Sequence, residues 1–221
     1  MLEEFINAYN EAIFDTDRDR ALRVVHDAEA QGVSPEDIVF HIVLPAMDLM
    51  VKSISENFDA NLAQHFLTAQ IADAVTSEMM KKFSKAPEIK GRVVIGTAAG
   101  DMHALGKRIV IGCLKARMIE VHDLGLNVSA ERFVDEAVDH NAEIIGISAM
   151  MVHTARGEDG CIRVREILRN RGLEQRMRII VGGAPFRFDK DLYKTIKADA
   201  WAEDGVAAGA VVESLIREVQ R

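Results

Sequence analysis

Nowhere in its 221 residues does this chain hold the ~18 uninterrupted apolar residues that a membrane helix requires, and Met1-Leu2-Glu3-Glu4 does not read as a signal peptide. Cysteine is nearly missing, and Cys113 and Cys161 by themselves make neither a disulfide framework nor a zinc cluster. Basic residues are the minority charge, 27 Lys and Arg against 35 Asp and Glu, for a formal charge of −8. Nucleic acid as the main partner calls for clustered cations, and that balance argues against it. Internal repeats and low-complexity segments are absent as well. What remains is ordinary globular composition, 48% hydrophobic and 28% charged, in a chain long enough for a real core and one or two domains. The expectation is a soluble, cytoplasmic protein in two parts.

The first part, residues 1–83, reads as a helical bundle. A short helix is expected over 3–14, and Asp15, Thr16 and Asp17 offer capping oxygens for a second, in which Leu22, Val25 and Ala28 recur at helical spacing. Ser34-Pro35-Glu36-Asp37 is a helix start with a capping hydroxyl, a proline at the first position and acids in the first turn. Pro45 should kink or restart that helix, because it lacks an N–H and clashes with the preceding turn. A last helix carries Leu62, Phe66, Ala69, Ala72, Val75, Met79 and Phe83 along one stripe, and the methionines at 47, 50, 79 and 80 belong to the same core.

Residues 84–91 read as a linker, and the texture then changes. Over 92–221, short β-branched runs at 92–97, 118–121, 143–149, 178–181 and 199–202 alternate with amphipathic stretches at 103–117, 130–140, 160–171, 190–197 and 206–220. Such alternation predicts right-handed βαβ units and an α/β domain: a flavodoxin-like, Rossmann-like five-stranded parallel sheet in the order 2-1-3-4-5.

Ligands bind outside the carboxyl ends of strands in such sheets, so the loops after the strands carry the chemistry. The loop after the first strand, Gly100-Asp101-Met102-His103-Ala104-Leu105-Gly106-Lys107, is a poor phosphate loop: five residues separate its glycines, Arg108 follows Lys107, and Asp101 would repel phosphate. It is no dinucleotide fingerprint either. Asp101-x-His103 suggests a metal ligand instead, since a ligating imidazole usually gives its other N–H to a carboxylate. Ser148, at the end of the neighbouring strand, is a candidate to hydrogen-bond that carboxylate in turn. With no second His, Cys or carboxylate at ligand spacing, an all-protein zinc or iron site is disfavoured, and a single histidine suits a metal already held by a macrocycle. Gly106 and Gly182-Gly183 would then be walls without side chains. His122 with Asp123, and His153, also fall at strand ends and read as surface or rim residues, while Cys113 and Cys161 read as buried thiols.

Asp101-Met102-His103-Ala104-Leu105-Gly106 resembles the D-x-H-x-x-G cobalamin signature, Ser148-Ala149-Met150 resembles the S-x-L element, and Gly182-Gly183 the G-G element. Val181-Gly182-Gly183-Ala184-Pro185 and Lys107-Arg108-Ile109-Val110 are similar to the corrinoid proteins of anaerobic methyltransferase systems, and the whole to the cobalamin module of methionine synthase. The resemblance implies cobalamin bound base-off, with His103 as the lower cobalt ligand and His103, Asp101 and Ser148 as a ligand relay. It implies a slot for the displaced nucleotide tail lined by Gly106, Ser148, Met150 and Gly182-Gly183, with Met102 and Thr154 also against the cofactor and Trp201 near the tail, where such proteins commonly have a Tyr. It implies that the helical part is a cap, for which His65, Phe66 and Leu67 are the candidate residues. Met150 replaces the usual Leu, a tolerable exchange of unbranched for branched apolar side chain. The segment from Ser148 to Gly182 is longer than in such proteins, with the extra length around Arg156-Gly157-Glu158-Asp159-Gly160.

The function so implied is a methyl carrier, a non-catalytic subunit that passes a methyl group from a substrate-specific methyltransferase to a second methyltransferase and is served by a reductive activator protein. Two other uses of cobalamin compete. A radical mutase subunit would need a large catalytic barrel, and a cobalamin-sensing regulator would need a basic DNA-binding face, whereas residues 1–60 are acidic overall. A signalling module without cofactor would leave Asp101, His103 and the glycines as coincidence.

Overall fold

The computed structural model describes residues 2–53, 62–85 and 88–221, and its chain divides into two compact units, Met1–Glu88 with Lys115–Arg117 and Ile89–Leu114 with Met118–Arg221. Of the expected linker 84–91, residues 86 and 87 lie outside the described residues. No helix among the described residues is long and apolar enough to cross a membrane.

The first unit is helical. α1 (Leu2–Phe14) packs on α2 (Arg18–Ala30), which starts where the Asp17 carboxylate accepts the Arg20 N–H at 2.9 Å. Ser34 caps the short α3 (Pro35–Asp37) by accepting the Asp37 N–H. The chain then widens into a π-helical turn, Ile38–Val43, before α4 (Leu44–Lys52). Pro45 explains the widening. The Leu44 N–H reaches back five residues to the Val39 carbonyl, and the loose turn makes room for a ring that would clash with the carbonyl four residues back. α5 (Leu62–Met79) ends in a 3₁₀ turn, Met80–Lys82. Tyr9, Ile13, Val25, Ile42, Met47, Met50, Ile71, Val75 and Met79 form the core, each at most 1% exposed. Of the expected stripe, Ala69 and Ala72 are also buried and Phe66 is half-buried, while the side chain of Leu62 is outside those described. Phe83 lies beyond the helix, because the 3₁₀ turn ends the α-helical spacing before it. His65 is buried and Leu67 half-buried.

The second unit is a parallel sheet in the order β2-β1-β3-β4-β5, the expected topology. In chain order its elements are β1 (Gly91–Ala98), α6 (Leu105–Ala116), β2 (Ile119–Val128), α7 (Ala130–Asp139), β3 (Ile144–Ser148), α8 (Val152–Ala155), α9 (Cys161–Asn170), β4 (Arg178–Gly182), α10 (Ala184–Phe188), α11 (Leu192–Thr195), β5 (Ala200–Ala202) and α12 (Gly205–Val219). Side chains alternate between two covered faces. Val94, Ile145, Ile147, Ile179 and Val181 pack with Phe133 and Val134 of α7 and Val164 and Leu168 of α9. Val93, Ile95, Ile144 and Ile180 pack with Ile111 and Leu114 of α6 and Val212, Leu215 and Ile216 of α12. Gly96 is required by this packing, since a Cβ there would stand 2.8 Å from Val128 Cγ2 and 2.9 Å from Phe133 Cζ.

Three local expectations are corrected. β2 is ten residues long, because an edge strand carries polar residues such as His122 and Asp123 that break an apolar run. The expected helix 190–197 shrinks to Leu192–Thr195, and α10, with Pro185 in its first turn, stands before it. α6 starts at Leu105 rather than 103, because Asp101 and His103 are engaged in the loop described next.

Candidate functional site

The loops after β1, β3 and β4 emerge side by side, since these strands are neighbours and Thr97, Ser148 and Gly182 are paired across them. Asp101 is the hub of the first loop. Its side chain is fully buried, and both carboxylate oxygens are used. Oδ1 accepts the His103 N–H at 2.9 Å and faces His103 Nδ1 at 3.0 Å. Oδ2 accepts the Met150 N–H at 2.6 Å and the Thr154 hydroxyl at 2.9 Å. Burial alone would push this carboxyl group up, but the hydrogen bonds from the Met150 and His103 amides, the Thr154 hydroxyl and the His103 ring outweigh it and hold the group below the usual carboxylate range.

The hydroxyl on Asp101 is therefore that of Thr154, not Ser148. Ser148 ends β3 in the ladder, on the sheet face shared with Ile144, and no hydrogen bond joins it to the carboxylate. Thr154 stands in α8, six residues on, where the chain has turned back over the loop and buried its side chain. A short polar residue at a strand end is an obvious candidate in sequence, and α8 gave no pattern long enough to read.

An acceptor opposite Nδ1 of His103 favours the tautomer with the proton on that nitrogen, in which Nε2 carries the free lone pair. The side chain is 52% exposed, and Nε2 has no hydrogen bond among the described residues. The loops after β1 and β3 and the first residues of α6 and α8 carry exposed large hydrophobic side chains: Met102, Leu105, Met150, Met151 and Val152. Among the described residues no set of three His, Cys, Asp or Glu side chains is placed to hold an ion. Any metal at His103 must bring its other ligands with it.

The glycines divide by what surrounds them. A Cβ on Gly106, in the first turn of α6, would meet no atom within 4 Å, and its φ is ordinary, so nothing in the chain requires glycine there. Gly182 has similar room, with the Ala202 carbonyl oxygen at 3.5 Å. Gly183 is different: at φ +122° its Cβ would fall 2.0 Å from the Ala149 carbonyl oxygen, so its role is a close crossing of two chain segments. Ser148 and Gly182 face the α6 and α12 side. Trp201 does not. It pairs with Val181, is half-buried, and packs against the core on the α7 and α9 side, while Ala202 occupies the Ser148 face. The expected place of Trp201 beside the glycine slot is corrected by the two-residue period of a strand. His122 is half-buried and stacks on His140, centroids 3.7 Å apart, and His153 is exposed. Thr97 and Asn127, which the sequence did not single out, hold the backbone of the Asp101 loop.

A family model described as "B12 binding domain" matches residues 91–210. The chain is 31% identical over 216 residues to dimethylamine corrinoid protein 2 of Methanosarcina acetivorans, covering 97% of each chain. It is 30% identical to trimethylamine corrinoid protein 1 of the same organism, over 97% of this chain and 98% of the relative. In fold it is similar to a chain in the crystal structure of the methanol:cobalamin methyltransferase complex MtaBC from Methanosarcina barkeri, with a TM-score of 0.74 and 22% identity over 97% of this chain and 80% of that one.

Proposed function

Because this chain belongs to the family of B12-binding corrinoid proteins, we propose that it is a methyl carrier that binds cobalamin base-off with His103 as the lower cobalt ligand. The observation that carries the reading is the His103 ring, held through Nδ1 by a buried carboxylate and offering Nε2 at an exposed apolar surface. Bound cobalamin supplies a cobalt centre that accepts a methyl group from one partner and yields it to another. The chain's residues supply binding, orientation and control of the ligand.

The residues present fit such a group. Met102, Leu105, Met150, Met151 and Val152 form a rim that a flat macrocycle would cover, removing apolar surface from water at about 25 cal/mol per Å². Gly182, paired with Ser148 across the sheet, and Gly106, exposed in the first turn of α6, leave room for a nucleotide tail, and an alanine at either position would narrow it. Asp101 holds the His103 proton on Nδ1, and Thr154 and the Met150 amide hold Asp101 ionised.

On this reading the chain turns over no substrate by itself. Its partners are a substrate-specific methyltransferase, a methyl-acceptor methyltransferase and a reductive activator, all in the cytoplasm. The methyl donor is chosen by the first of these. Electron paramagnetic resonance of the protein reconstituted with a benzimidazole-free cobamide and reduced to Co(II) tests the ligand. Splitting from one nitrogen in the parent protein and its loss in His103→Ala are expected; absence of corrinoid binding, or a spectrum indifferent to His103, overturns the reading.

A further inference from the structure

β2 does not end as a regular strand. Its pairing with β1 slips twice, between Ile95 and Gly96 and again between Gly96 and Ala98, so that β2 gains a residue each time. Gly125 at φ +88° and Asn127 at φ +52° absorb these steps. Asparagine tolerates the left-handed conformation better than most side chains, though still at a cost. What the irregularity achieves is visible in the hydrogen bonds. Asn127 Oδ1 accepts the Gly100 N–H at 2.7 Å. The Asn127 N–H is shared by Thr97 Oγ1 at 2.8 Å and the Asp101 carbonyl at 3.2 Å, and the Thr97 hydroxyl donates to that same carbonyl at 2.6 Å. Four residues earlier on the strand, Asp123 accepts the Gly125 N–H and pairs with the ammonium of Lys107, a lysine only 2% exposed.

The two grips fall on either side of the ligand loop. Asn127 and Thr97 fasten residues 100 and 101, Asp123 fastens residue 107, and His103 lies between. We infer that the bulged end of β2 is a clamp, with Asn127 and the Lys107–Asp123 pair as positioning residues that set where the His103 imidazole stands above the strand ends. The only hydrogen bonds of His103 itself among the described residues run to Asp101, so whatever places Asp101 places the ring. This inference rests on His103 being the working group of the site, as proposed above.

The test separates the side-chain acceptor from the backbone. Asn127→Gly keeps the left-handed conformation and removes the oxygen, while Asn127→Asp keeps an acceptor at the same position. The first readout needs no cofactor: imidazole ¹⁵N resonances in the protein alone report the proportion of His103 with its proton on Nδ1. The second is cobalamin affinity with the Co(II) nitrogen splitting. Asn127→Gly is expected to lower the Nδ1–H proportion and weaken cobalamin binding about fivefold, the value of one neutral hydrogen bond, and Asn127→Asp to restore both. Lys107→Met, which removes the other grip and leaves Asp123 to solvent, should move both readouts the same way. A folded Asn127→Gly and Lys107→Met with the parent tautomer and parent affinity overturns the clamp. If the parent itself shows no nitrogen splitting, the ligand reading fails, and the cofactor-free measurement still decides the clamp.

Discussion

Thr154 donates its hydroxyl to Asp101 across 2.9 Å with both side chains buried, although 53 residues separate them in the chain. The contact joins the loop after β1 to the helix after β3, and it is the far end of the line that runs through Asp101 to His103. The same hydroxyl lies 2.9 Å from the Met151 carbonyl, so its one proton has two acceptors within reach.

Thr154→Val, which keeps the shape and removes the hydroxyl, should destabilise the protein by about 2 kcal/mol, because a buried carboxylate loses a donor. Ser148→Ala should leave stability within about 0.5 kcal/mol of the parent, since no hydrogen bond joins Ser148 to that carboxylate. Urea unfolding of the two variants side by side checks the assignment, and equal losses would return Ser148 to the role expected from sequence.

Two glycine variants should part stability from binding. Gly106→Ala meets open space inside a helix and should raise stability by up to about 1 kcal/mol while blocking the slot and lowering cobalamin affinity at least tenfold. Gly183→Ala places a Cβ on the Ala149 carbonyl oxygen in a conformation L residues avoid, and should cost at least about 2 kcal/mol. Thermal unfolding with a cobalamin titration of each variant reads both effects.

The Asp101 carboxyl group is held low in the folded protein, so it binds protons more weakly folded than unfolded. Its contribution to stability is complete above the unfolded value near 3.9 and is lost as pH falls through the lower folded value. The stability gap between the parent and Asp101→Asn should therefore close as the pH falls below about 4. Unfolding free energies over that range measure it, and a gap that widens on acidification would contradict the hydrogen-bond account of this group.

Burial pushes the Cys161 thiol up to about 12, against a smaller opposing pull from Arg165. At pH 8.5 the native thiol is almost wholly protonated, whereas an unfolded cysteine is about half thiolate. Cys113 is buried as well. Alkylation at pH 8.5 should therefore label neither cysteine in the folded protein and both in urea, as mass spectrometry would show.

Much of this protein is legible in one dimension. The change from helical spacing to β-branched runs near residue 90, the five strands and their order, and Asp101, His103 and Gly106 after the first strand all follow from local pattern and from the handedness of βαβ units. These are properties of neighbouring residues, and neighbours in sequence suffice to show them. An interruption at Pro45 belongs here too, since a proline inside a helix forces some departure wherever it stands, although the expected kink or restart takes the form of a π turn before it.

Other features depend on residues far apart in sequence. Whether Ser148 or Thr154 reaches Asp101 depends on how the chain turns back after β3, and which face Trp201 takes depends on one residue of register. The length of β2 and the hold of Asn127 on Gly100 depend on two bulges that leave no apolar signature. Sequence by itself determined the helical first part, the five strands and their order, and the placing of Asp101, His103 and Gly106 after the first strand, because each is written in local spacing. Only the tertiary structure decided which hydroxyl, which face and which loop anchors complete the site, because hydrogen bonds between distant segments are directional to within a few tenths of an ångström and no local pattern encodes them.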